Sequence, residues 1–329
     1  LIYFSQASFG IISVAMELSF SALIPTLVQQ QHLIRANGIV SFVDSAVVAL
    51  APIVSGFLYK RVSLDWMIII DSFSFLIAII SFVWVPLQSP DHVLPWNFSG
   101  SVQRLISDIK IGFKFILGDS KLLFLQSIFA ASNLIIGITM TATTSLVLLK
   151  TNNDSLVLGA VRTAGGVGGI VGGLLLMVIP KKENLIKYIL LGMACMVTGG
   201  WLVIALGNNP IFWYVGSFLG MCFLVTVNAF NQTIWQSVVK SEHRGKVLGA
   251  RAWIAQSLYP LGFMISGLLV DRVFESQTIS QYAHWLPFPS TFSIGPGSGS
   301  AVLLILTSLI MYAVLCIGWI LTQTTTGKF

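Results

Sequence analysis

The chain is a succession of long apolar runs separated by short polar breaks. A bilayer crossing needs about 20 predominantly apolar residues. Nine such stretches follow one another, at 4–28, 38–59, 66–87, 122–149, 156–179, 185–206, 210–238, 248–270 and 300–321. Lipid offers no water to an exposed backbone, so each run is expected as a helix. The breaks carry helix stops and charges, as in Pro180-Lys181-Lys182-Glu183 and Gly207-Asn208-Asn209-Pro210. The break at residues 88–121 is longer and its second part is amphipathic. Val102, Leu105, Ile106, Ile109, Phe113 and Ile116 share one helical face, and Arg104, Asp108, Lys110 and Lys114 share the other. That pattern predicts a helix lying on the membrane surface, or a solvated linker helix packed on the protein. The break at 271–300 is also long and holds Phe274, Tyr282, Trp285, Phe288 and Phe292, as expected of an interfacial aromatic belt.

A repeat runs through this pattern. Residues 55–62 read Ser-Gly-Phe-Leu-Tyr-Lys-Arg-Val and residues 266–273 read Ser-Gly-Leu-Leu-Val-Asp-Arg-Val, an offset of 266 − 55 = 211. Upstream, the same offset pairs His32 with His243, Arg35 with Lys246, Gly38 with Gly249 and Phe42 with Trp253. Five spans separate the second from the eighth, so the repeating unit is six spans, the architecture of two parallel halves in one class of secondary transporters. Because the second span pairs with the eighth, three further spans are expected ahead of this chain. Residues 1–87 then form the remainder of an N-terminal six-helix half, 88–121 a cytoplasmic linker, and 122–329 the C-terminal half.

Composition agrees with a membrane protein: 55% of the 329 residues are hydrophobic and 9% charged, against roughly 25% charged in soluble domains. The net charge of +6 does not point to nucleic acid, because the basic residues lie in short connections. Placing the connection before the second span inside leaves Lys60, Arg61, Lys150, Arg162 and Arg272 outside. The other 13 of the 18 Lys and Arg then lie inside, with Arg251 among them. This orientation sets the C-terminus in the cytoplasm and the chain in the plasma (inner) membrane. Cys195, Cys222 and Cys316 all lie inside apolar runs and are expected as free buried thiols. The histidines His32, His92, His243 and His284 are scattered in connections, and no nucleophile motif, metal cluster or phosphate loop is visible. An enzyme is not expected, and no cofactor or metal is implied.

The chain resembles the drug-efflux and macrolide-efflux branch of the major facilitator superfamily. The resemblance rests on several segments in order: Ala22-Leu23-Ile24-Pro25-Thr26-Leu27-Val28, Leu33-Ile34-Arg35-Ala36-Asn37-Gly38, Ile70-Asp71-Ser72-Phe73-Ser74-Phe75, Arg244-Gly245-Lys246-Val247, Pro260-Leu261-Gly262 and Gly267-Leu268-Leu269-Val270-Asp271-Arg272-Val273-Phe274. It implies an all-α polytopic fold with nine of twelve transmembrane helices present. It further implies a monomeric, proton-coupled exporter of small amphipathic molecules in the lipid bilayer. By resemblance the first, fourth and seventh spans line the cavity. Arg244 to Val247 connect two spans, and the fifth span meets the second where the halves slide. Ala51-Pro52-Ile53-Val54-Ser55-Gly56 stands where such exporters carry a Gly-Pro-x-x-x-Gly element, with alanine for the first glycine. A carrier or facilitator of a specific metabolite, siderophore or peptide is the alternative within transport. A non-transporting receptor or scaffold is the alternative outside it.

Candidate site residues follow from what lipid penalises. A carboxyl at mid-membrane depth costs roughly 2.5–3.5 kcal/mol on insertion scales, so it normally faces a partner or a wet cavity. Glu17 is at that depth and is the first proton-coupling candidate; packing against a neighbouring helix is the alternative. Asp44, in the inner third of the second span, is the second candidate, and Asp71 is expected to be structural. Asn133, Asn228, Asn231, Gln232 and Trp235 are substrate-cavity candidates, the last four sharing a face by i, i+3, i+4, i+7 spacing. Gly165, Gly169 and Gly173 recur every four residues, and Gly168 and Gly172 likewise, as expected of close helix packing. With Pro52, Gly56, Pro260 and Gly267 they are the seam and gating candidates.

Overall fold

The computed structural model describes residues 2–84, 98–179, 184–275 and 295–324, and within these it is all-helical. The first part of the expected linker, the Pro180-Lys181-Lys182-Glu183 break and the aromatic residues Tyr282, Trp285, Phe288 and Phe292 lie outside the described residues. The helices are α1 (Ile2–Leu27), α2 (Leu33–Arg61), α3 (Leu64–Val83), α4 (Phe98–Gly118), α5 (Ser120–Lys150), α6 (Ser155–Val178), α7 (Leu185–Leu206), α8 (Pro210–Val238), α9 (Arg244–Leu269) and α10 (Ser298–Thr324). Each apolar run coincides with one of them. Seven helical stretches among the described residues are long and apolar enough to cross a bilayer.

Local chemistry sets the boundaries. Asp119, Asp154, Asn184 and Asn209 each cap the following helix by accepting a backbone N–H. Asp119 does so from Lys121 at 2.8 Å and Asp154 from Leu156 at 2.8 Å. These caps satisfy donors that the first helical turn leaves without partners. Pro210, which has no N–H to satisfy, opens α8. The α5–α6 turn passes through Asn152 and Asn153, both at positive φ (52° and 64°), a conformation asparagine tolerates better than most residues. Within α7, Val197–Leu202 widens to a π-helical turn. There Gly200 lets the Gly220 backbone of α8 approach.

The sequence repeat is a repeat of structure. An offset of 238 − 27 = 211 carries the last residue of α1, Leu27, to the last residue of α8, Val238. It also carries the 3₁₀ turn Gln30–His32 to Ser241–His243, and Leu33, which opens α2, to Arg244, which opens α9. Arg244-Gly245-Lys246-Val247 therefore forms the first turn of α9, whereas the family resemblance placed it in a connection. The α1–α2 and α8–α9 turns mark one end of the bundle, called here the turn end.

Core packing joins α6 to α2 and to α8, α5 to α9, and α7 to α8. Ile189, Met193, Met196, Phe230 and Trp235 are among the buried side chains at its centre. At the α5–α9 crossing a Cβ on Gly262 would stand 3.1 Å from the Gly137 Cα, so both positions need glycine for the backbones to meet. Helix α4 packs its middle on α9. Gly112 admits the Lys246 carbonyl, Ile116 is fully buried, and Phe113 meets Trp253 edge-on at 5.8 Å between ring centroids. Asp108 and Lys246 pair at 2.6 Å. Ile106 and Ile109, earlier on the same apolar face, remain exposed. The middle of this helix is thus packed on the protein, as one of the two sequence expectations has it. In α3, Trp66, Ile68, Ile69, Ile70, Phe73, Phe75 and Leu76 are exposed, an apolar surface of the kind that faces lipid.

Candidate functional site

A cavity of about 720 Å³ lies between α1, α2, α5, α8 and α9, with Gly166 of α6 in its wall. Its lining obeys the repeat. Glu17 and Asn228, Ser21 and Gln232, Val40 and Arg251, and Val48 and Tyr259 are four of ten lining pairs separated by 211 residues. Equivalent positions of two halves line one space only where that space surrounds the axis relating the halves. Ser21 and Gln232, 232 − 21 = 211 apart, touch each other directly, because the Gln232 amide donates to the Ser21 hydroxyl. The family resemblance placed the lining on the first, fourth and seventh spans. The structure adds α2 and α9, which supply Asn37 to Val48 and Leu248 to Tyr259.

The turn end of the cavity is closed by a polar seal. The Asn37 amide donates to Thr233 Oγ1 at 3.0 Å and to Gln236 Oε1 at 2.8 Å. Gln236 Nε2 donates in turn to the Ser21 carbonyl at 3.0 Å. Asn37, Thr233 and Gln236 are all buried, so these bonds replace the water the groups give up. Asn37→Ala is expected to remove both bonds, at about 1 kcal/mol or less each in a membrane setting. A modestly lower melting temperature in detergent, with folding retained, is the expected result, and an unchanged melt would contradict the seal. Leu50, Ala51 and Val54 of α2 are exposed, and Gly159 of α6 has open space around it.

Among the described residues, three charged side chains line the cavity: Glu17, Asp44 and Arg251. Arg251 Nη1 donates to Gln232 Oε1 at 2.5 Å, and its guanidinium lies 5.4 Å above the centroid of the Trp235 ring. That ring is fully buried, and its Nε1 donates to Asn231 Oδ1 at 3.1 Å. A cation over an aromatic face in a desolvated place gains about 2 kcal/mol or more. The Glu17 carboxylate is the opposite charge acting on Arg251. Arg251, expected on the inner side, is thus a cavity residue and not a loop cation. It stands seven residues inside α9 in the cavity wall, which leaves 12 inner cations against five outer ones. A long side chain near a helix end reads as interfacial in sequence. Only its neighbours Trp235 and Gln232, from another helix, hold it inward.

Glu17, Asp44, Asn133, Asn228, Asn231 and Gln232 all line the cavity, with Glu17, Asp44 and Asn228 exposed to it. Asn133 Nδ2 donates to the Ala255 carbonyl at 2.9 Å and so ties α5 to α9. Trp235 stands behind the wall as the platform for Arg251. Pro52 and Gly56 lie on α2 beyond the lining residues, Pro260 is exposed on α9, and Gly267 has open space around it. The glycines of α6 divide between two neighbours. A Cβ on Gly166 or Gly173 would meet α2, at Ala49 Cβ (2.7 Å) and the Phe42 backbone N (2.7 Å), and one on Gly169 would meet Ser45. One on Gly165 would meet Ser217 of α8, and Gly168 and Gly172 face the Phe218 and Cys222 backbones of the same helix. Ser21, Asn37, Thr233 and Gln236 were missed from sequence. The Gln232/Gln236 i, i+4 spacing was their only visible signal.

No curated protein and no solved structure matches the chain. The sequence model of the Major Facilitator Superfamily matches residues 1–263, which hold α1 to α8 and most of α9 and thus all of the residues lining the cavity. With the helical bundle, the repeat and the axial cavity, that match over most of its length means that the chain belongs to the Major Facilitator Superfamily of secondary transporters.

Proposed function

We propose that the protein exports small amphipathic molecules across the plasma membrane in exchange for protons, with Glu17 as the main proton carrier. The observation that carries this is Glu17 itself. It is a carboxylate exposed in an axial cavity, near the middle of the first apolar run, within the field of a fixed guanidinium. A carboxyl so placed can load a proton when the cavity is wet on one side and release it when substrate arrives or the cavity changes side. With the turn end taken as cytoplasmic, from the lysine and arginine balance, the polar seal closes the cavity on the inner side. The mechanism is rocking of one half against the other about the α2–α6 contact, which exchanges the polar seal for closure at the far end. Asp44 is the second proton site on this reading.

The test uses inside-out vesicles containing the full chain and an acid interior, with lipophilic cations and macrolides added in turn. Substrate-triggered collapse of the gradient is expected for the wild type and not for Glu17→Gln. A response surviving that substitution would move the carrier to Asp44. Silence toward every compound would sink broad export and favour a carrier for one specific metabolite.

A further inference from the structure

The charges in the cavity are not duplicated, although the positions that hold them are. Glu17 corresponds through the 211-residue offset to Asn228, Asp44 to Ala255, and Arg251 to Val40. Both carboxylates therefore come from α1 and α2, and the guanidinium comes from α9, which packs against α1. Arg251 is held by Gln232 through one nitrogen and stacked on Trp235, and it lines the cavity. A guanidinium fixed in this way is pre-organised for a planar oxyanion, which it binds in a fork that lysine cannot reproduce.

We propose, on the footing of the transport function above, that the ligands of this cavity are zwitterionic amphiphiles. Their carboxylate docks on Arg251, their amine docks on Glu17 with Asp44 nearby, and their apolar part lies against Phe20, Phe129 and Tyr259. Physical bookkeeping favours this class over simple cations or anions. A cation pairs with a carboxylate and meets Arg251 in the same cavity, whereas an anion pairs with Arg251 and meets two carboxylates. A zwitterion pairs with Arg251 and with one of the two carboxylates at once and adds no net charge to a low-dielectric space. It also accounts for exchange, because a ligand ammonium and a proton compete for the same carboxylate. A cavity of about 720 Å³ is of the size that encloses drug-sized ligands.

The experiment is isothermal titration of the purified full chain in lipid nanodiscs with a matched set: naphthylalanine, its methyl ester (a cation) and its N-acetyl form (an anion). The zwitterion is expected to bind tightest, with each single-charge form weaker by about tenfold or more. Arg251→Gln should bring the zwitterion down to the affinity of the ester and leave the ester unchanged. Arg251→Lys should restore part of the loss, and Glu17→Gln should bring the zwitterion down to the N-acetyl form. Equal binding of all three forms, binding of none, or an equal loss for all three in Arg251→Gln protein that still elutes as a single species would overturn the proposal. The vesicle assay separates the two claims. Proton flux with lipophilic cations alongside failure here would leave transport standing and remove the zwitterion. Zwitterion binding without proton flux from any compound would do the reverse.

Discussion

Gly168→Val is expected to leave little folded protein. A Cβ at this position would stand 2.8 Å from the Phe218 Cα and closer still to the Phe218 carbonyl oxygen, and both are backbone atoms of α8. A flexible side chain could move aside, but a helix backbone held along its length cannot. One turn further along, Gly172 repeats the contact, with the Cys222 Cα 3.2 Å from the equivalent Cβ. Helices α6 and α8 would have to separate, opening the packing around both contacts. Overpacking costs typically about 1–3 kcal/mol and sometimes more, and branched valine brings two further carbons. Size-exclusion chromatography and a thermal melt check the outcome. Gly159→Val on the same helix, where nothing lies within 4 Å, is the control and should behave nearly as wild type. A monodisperse Gly168→Val protein with an unchanged melt would mean that α6 does not pack on α8 through this face.

Its neighbour should behave differently. Gly169→Val is expected to fold and reach the membrane yet to lose transport by about tenfold or more. A Cβ here would stand 2.9 Å from the Ser45 Cβ on α2, so the strain falls on the contact about which the halves are proposed to rock. A wedge that favours one arrangement over the other by 1.4 kcal/mol changes their ratio about tenfold, and turnover requires both. Ser45→Gly in the same chain removes the opposing side chain and should recover much of the loss, a coupling that a double-mutant cycle measures directly. If Gly169→Val transported at the wild-type rate, the α2–α6 contact would not be a moving seam. If it failed to fold, the contact would be as rigid as the one with α8.

The contrast between these two glycines shows where sequence and structure part. Spacing alone grouped Gly165 with Gly169 and Gly173, and Gly168 with Gly172, because i, i+4 neighbours share a face. A helix of 3.6 residues per turn packed between two partners uses mixed three- and four-residue steps. The working groups are Gly166, Gly169 and Gly173 toward α2, and Gly165, Gly168 and Gly172 toward α8. Nothing in a single chain of glycines says that there are two partners. The amphipathic pattern of α4 was visible for the same reason that its cover was not: periodicity reports a face, and Phe113 finds Trp253 only when α9 is in place.

Sequence by itself determined the helices, their approximate ends and the duplication. Each has a local cause: lipid forces a long apolar run into a helix, an Asp or Asn before it caps it, and an inherited repeat keeps its 211-residue offset. It also brought Glu17, Asp44 and Gln232 forward, since polar groups at membrane depth are costly wherever they face. Only the tertiary structure decided that they face one another. Ser21 meets Gln232 because both stand at the axis between the halves, and Arg251 turns inward because Trp235 and Gln232 hold it there. These contacts join residues 211, 16 and 19 positions apart. They are set by how whole helices pack, which no local pattern along the chain encodes.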